Sequence, residues 1–147
     1  MIADQKRFAA TLAAFDVANA EDPNLDESQP KELLYAQRMS AMLARFAPEA
    51  PEAVQLAVRA QHIQRWKTPR SRYPMDRQGY LQWRTGLYKF HAETAGRIMR
   101  EAGYDEATIE RVQAAVGKKA LKVNPDTQLL EDVTDLVFLE HSLAGFA

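Results

Sequence analysis

The chain has 147 residues, a formal net charge of −1, 46% hydrophobic and 27% charged residues, and no cysteine. Its length suits one domain spanning residues 1–147 that buries roughly 70% of the surface of the unfolded chain, and its composition excludes disorder and fibrous repeats. The missing cysteine excludes disulfides, thiolate metal sites and cysteine nucleophiles, and near-neutrality argues against nucleic acid as a partner, because generic affinity for it needs a basic surface.

Apolar spacing is helical almost throughout. Phe8, Leu12 and Phe15 stand at i, i+4 and i+7 on a first helix, which "NAEDPNLDESQP" breaks. Pro30 suits the first turn of a second helix, with Tyr35, Met39, Met42, Leu43 and Phe46 as its buried stripe. Pro51 opens a third, on which Val54, Val58, His62 and Trp66 fall on one line, so His62 should face inward or into a cleft. Pro69 and Pro74 force a loop over Lys67 to Gln78. From about Gly79 a long fourth helix presents Trp83, Leu87, His91, Thr94 and Ile98 along one side, and Gly103 ends it. Asp105 caps a fifth helix with Ile109, Val112 and Val116 inward, and a short loop follows. Asn124 and Pro125 open a sixth, with Leu129, Val133, Leu136, Val137 and Leu139 buried and Asp132 at the edge of that face. No strand, hairpin signal or repeat stands out, so the expected fold is an all-α bundle of about six helices.

Phosphate loops, nucleophile elbows, HExxH pairs and EF-hand loops are absent from the sequence. No apolar run approaches a membrane span, and the N-terminal "MIADQKRFAATLAAF" carries charge where a signal peptide needs an apolar stretch, so a cytoplasmic protein with no membrane partner is expected.

Two features carry chemistry. His62 and His91 sit on apolar faces of different helices; each alone is most simply a satisfied core histidine, but imidazoles joined by Asp132 or Glu131 of the sixth helix could hold a divalent cation. The stretch from Arg59 to Arg84 places seven cations against the single acid Asp76, interleaved with Trp66, Tyr73, Tyr80 and Trp83. Arginines among aromatics suit a phosphorylated or otherwise anionic small molecule. They equally suit a loop pinned by arginine–carboxylate pairs. Arg38, Lys118 and Lys119 add possible anion contacts.

The stretches "FHAETAGRIMREAGYDEATIERVQAAV" and "LLEDVTDLVFLE" resemble the second half of an HD-domain metal-dependent phosphohydrolase. The resemblance implies an HD-like topology and places His62 at the histidine of the His-Asp pair and Asp132 at the late aspartate, with His91 as a possible third ligand. Ile63 stands where the paired aspartate belongs, and Gln37 where the first histidine does. "QPKELLYAQRM", "RAQHIQRW", "PRSRYPM", "GYLQWR", "FHAETA" and "LEDVTDLVFLEH" make nearly the whole chain similar to domain-of-unknown-function family 4202, which brings no activity with it. Members of that family tend to run on beyond "HSLAGFA", and an apolar face left uncovered there would favour a homodimer.

The expectation is therefore a divalent-metal-assisted hydrolase or lyase acting on a small phosphorylated or anionic metabolite. His62, His91 and Asp132 would hold the metal, with His62 and Asp132 as catalytic residues. Arg38, Arg65, Arg70 and Arg84, with Lys118 and Lys119, would hold the anion. The alternative is a degenerate HD fold that binds an anionic ligand or a protein partner without catalysis.

Overall fold

The computed structural model describes residues 2–119 and 123–142, and these form an all-α fold with one very small hairpin. Asp4 caps α1 (Gln5–Ala20) by accepting from the Arg7 amide, and Phe15 is the side chain by which this helix enters the core. The hairpin β1 (Leu25–Asp26) and β2 (Gln29–Pro30) was not expected; its turn residues Glu27 and Ser28 take positive φ values of 52° and 65°. That conformation is normally signalled by Asn-Gly or Asp-Gly, which this turn lacks.

Helix α2 (Lys31–Phe46) starts immediately after Pro30, and its second amide, on Glu32, is held by the buried Asp22 carboxylate at 3.0 Å. Met39, Met42 and Leu43 are buried as expected, whereas Phe46 is 52% exposed. Helix α3 (Glu52–Ala60) lies at the centre of the bundle, with six of its nine residues buried. It is shorter than its apolar line implies. Gln64 adopts the left-handed region at φ 52°, and its amide donates to Asn19 Oδ1 of α1 at 3.0 Å, so a tertiary bond fixes the break. Two 3-10 turns, Arg65–Lys67 and Arg70–Arg72, carry the chain onward.

Asp76 caps α4 (Arg77–Glu101) by accepting from the Gly79 amide at 2.7 Å. A Cβ on Gly79 would lie 1.9 Å from the Pro74 carbonyl oxygen, which is why glycine stands where loop and helix meet. Gly103, at φ 96°, ends the helix in the conformation that glycine adopts without strain. Asp105 caps α5 (Glu106–Val116), and Asn124 with Pro125 opens α6 (Pro125–Val137). The loop expected between them falls largely on residues 120–122, outside the described residues, as do residues 143–147 at the end of the chain.

Phe15, Met39, Leu56, Ile63, Met99, Ile109 and Leu130 are the largest fully buried apolar side chains, one from each of α1 to α6 and Ile63 from the turn after α3. On α6 the inward positions are Leu130, Val133 and Val137, while Leu139, in a π-turn over Phe138–Ser142, is 53% exposed. Among the described residues no helix is long and apolar enough to cross a membrane.

Candidate functional site

The break after α3 sets His62 between two cavities. The first, about 230 Å³, lies between that turn and α4 and is lined by His62, His91, Arg65, Arg84 and Lys118, with Gln61, Tyr80, Trp83 and Tyr88 among its walls. The second, about 310 Å³, is lined by His62 and Arg65 from the other side, together with Glu32, Arg38 and His141. His62 and Arg65 therefore form a partition.

The His62 ring stacks on Tyr35 with centroids 4.4 Å apart and planes within 10°, and its Nδ1 lies 3.6 Å from Oε1 of Glu32. At that distance the contact is Coulombic rather than a hydrogen bond. Tyr35 donates to Gln61 at 2.8 Å, and Gln61 donates to Thr134 at 2.9 Å, a polar chain that ties α2 and α6 to the turn beside His62. His91, 2% exposed, donates from Nδ1 to the Ile63 carbonyl oxygen at 2.9 Å, and its ring centroid is 6.0 Å from that of His62. Its Nε2 is buried without a hydrogen-bond partner among the described residues.

Burial, reinforced by His62, holds the His91 pKa down to about 3. His62 is also held below its ordinary value by burial, with Glu32 opposing and Arg65 and Lys118 assisting. Both imidazoles are thus neutral at pH 7. Because the folded pKa of His91 lies below the unfolded value of 6.5, protons bind the unfolded chain first as pH falls, and stability is lost from about pH 6.5 down towards 3. By pH 5 His91 alone should cost about 2 kcal/mol. Urea midpoints measured at pH 7 and 5 check this: the drop should be clearly smaller in His91→Gln than in the parent chain.

The cations differ in their partners. Elsewhere in the molecule Arg59 is held by Asp16, Arg100 by Glu106 and Arg111 by Asp126, each through two hydrogen bonds. Arg65 and Arg84 have no acidic partner among the described residues. Arg65 lies over Trp83 at 5.4 Å, and Arg84 donates to the hydroxyls of Tyr80, at 3.2 Å, and Tyr88. Lys118, at the left-handed φ of 58° after α5, reaches the cavity while bonded to Glu131 of α6; its burial lowers its pKa and Glu131 opposes the shift.

The remaining candidates lie apart. Asp132 accepts from Gln128 at 2.9 Å and lines neither cavity. Gln37 is exposed on α2, and the Ile63 side chain is wholly in the core. Arg38 lines only the second cavity, paired with Asp26 and Glu27. Arg70 is spent on the loop, donating to the carbonyls of Tyr73 and Asp76. Lys119 lines a neighbouring cavity of about 530 Å³ between α4 and α5. The structure thus brings His62 and His91 together without Asp132, and no group of three or more histidine or acidic side chains placed to hold a metal occurs among the described residues.

Glu32 and Tyr88 are the neighbours that sequence reasoning missed. Tyr88 is signalled by the i+4 spacing of Tyr80, Arg84 and Tyr88 along α4. Glu32 gives no signal, since an acid in a first helical turn ordinarily serves the helix end.

No curated protein and no solved structure matches the chain. A family model described as domain of unknown function (DUF4202) matches residues 9–147, nearly the whole sequence, and the chain belongs to that family.

Proposed function

We propose that the protein is a binding module for a small anionic molecule of the phosphorylated-metabolite class, held in the cavity between the His62 turn and α4. One observation carries the reading: Arg65 and Arg84 converge with Lys118 on one concave surface, and neither arginine has a carboxylate to neutralise it among the described residues. Guanidinium groups oriented by aromatic rings and hydroxyls offer the forked donors that phosphate accepts. A concave volume of about 230 Å³ suits a small ligand rather than a nucleic-acid strand. In this reading the frame is an HD-like bundle that has kept the pocket and lost the metal positions, and the protein works in the cytoplasm on a soluble metabolite.

The test is a thermal-shift series with inorganic phosphate and small phosphate esters. At a hundred times Kd a ligand adds about 2.7 kcal/mol, which should raise Tm by roughly 5–10 °C for a chain of this size. No shift with any of these at millimolar concentration would overturn the reading.

One feature favours a second reading, the metal-assisted hydrolase or lyase. His91 has its Nδ1 fixed on a backbone carbonyl and its Nε2 bare, which is how metal-binding imidazoles are commonly oriented. There His62 and His91 would hold the cation, and a bound cation supplies polarisation of a phosphoryl oxygen. Metal analysis of untagged protein, with titration of manganese and zinc, decides it: stoichiometric binding lost in His91→Ala supports it, and no binding ends it.

A further inference from the structure

Inorganic phosphate would use only half of the polar groups in the first cavity. Arg65, Arg84 and Lys118 are hydrogen-bond donors, whereas the two imidazoles are acceptors. The Ile63 carbonyl can only accept, so the proton of neutral His91 sits on Nδ1, and Nε2, buried on a ring that borders the cavity, keeps a lone pair with no donor among the described residues. For His62 the Nδ1 lies beside the buried Glu32 carboxylate, whose charge favours the proton there, and the stack on Tyr35 fixes the ring plane. Nε2 of His62 is then left on the opposite ring edge as an acceptor.

A buried acceptor that lacks a partner is costly, and a hydroxyl, an ammonium group or a metal ion could each engage its lone pair. An ammonium group or a metal ion would bring further positive charge beside Arg65, Arg84 and Lys118. A hydroxyl brings none.

We infer that the ligand is a hydroxylated phosphate ester, a small polyol or sugar phosphate, with its phosphate on Arg65, Arg84 and Lys118 and its hydroxyls donating to Nε2 of His91 and of His62. The inference rests on the anion-binding reading and adds the other half of the ligand. The volume of about 230 Å³ is below the roughly 300–1,000 Å³ typical of drug-sized ligands, so the ester is small. Tyr80 and Trp83, with ring centroids 5.9 Å apart, supply an apolar wall for its C–H face.

The experiment is calorimetric titration in buffer containing EDTA, with inorganic phosphate, propyl phosphate, glycerol phosphate, ribose phosphate and glucose phosphate. At least one hydroxylated ester should bind roughly tenfold or more tighter than propyl phosphate, as expected for one or two added hydrogen bonds. In His91→Asn the shorter amide keeps a donor for the Ile63 carbonyl but removes Nε2; most of that preference should disappear, the hydroxylated ester losing more affinity than propyl phosphate. If all esters bind equally, the ligand class is wrong and the anion site stands. If none binds, the anion-binding reading falls and takes this inference with it. An equal loss for propyl and hydroxylated esters in His91→Asn would overturn the role given to Nε2. Should that variant fail to fold, the ligand series on the unaltered chain decides alone.

Discussion

Ile63→Asp, the substitution that would recreate a His-Asp pair beside His62, should unfold the protein instead of furnishing a metal ligand. The Ile63 side chain is wholly buried in the apolar core, and only its backbone carbonyl faces the site, where it accepts from His91. Removing that side chain forfeits several methyl and methylene contacts, a loss of about 2–5 kcal/mol for an isoleucine truncated to alanine. A carboxylate at the same place must also either stay charged in a low-dielectric core or bind a proton at neutral pH, and each adds further cost. The sum is comparable with the whole stability of an ordinary domain, about 5–15 kcal/mol. Circular dichroism and urea melts check it: Ile63→Val should lose only about 0.5–1.5 kcal/mol, whereas Ile63→Asp should show little or no cooperative transition. A well-folded Ile63→Asp protein would mean that the side chain can turn towards the cavity.

Arg84→Ala and Arg65→Ala should each weaken phosphate binding by roughly ten- to a hundredfold, since a hydrogen bond to a charged group contributes about 1.5–3 kcal/mol. Stability should hardly change. Neither substitution strands a carboxylate, because neither arginine has an acidic partner among the described residues, and Arg84 is exposed on α4. Arg65→Ala also removes the contact over Trp83, worth about 0.5–1 kcal/mol at an exposed site. By contrast Arg59→Ala, which leaves the part-buried Asp16 unpaired, should cost stability and leave phosphate affinity alone. Calorimetry together with melting curves separates the two patterns. A double Arg65→Ala, Arg84→Ala variant that binds phosphate like the parent chain would remove the cavity as the binding site.

The helices are legible in the sequence where their ends are written in local chemistry. Asp105, Asn124 with Pro125, and Gly103 each act through their own neighbours, and they mark boundaries correctly. The end of α3 is not legible, because Gln64 is an ordinary residue held in a left-handed conformation by Asn19, far away in the chain. The same limit applies to the candidate site. His62 and His91 flank one loop, so their proximity follows from the order of the chain. The choice between Asp132 and Glu131 depends instead on how α6 is rotated, and one position along a helix turns a side chain by about 100°. Glu131 bonds Lys118 beside the cavity, while Asp132 turns to Gln128 on its own helix.

The bond from the Gln64 amide to Asn19 carries a further consequence, for motion. Helix α1 lines neither of the cavities that share His62, yet it holds Gln64, one of the two residues between His62 and Arg65. The Gln64 amide cannot exchange its hydrogen with solvent until that bond opens, and undocking of α1 opens it. If the cavity binds an anion as proposed, docking of the first helix and occupancy of that cavity are coupled through this bond, and a ligand held by Arg65 would slow the fraying of a helix that lines neither cavity.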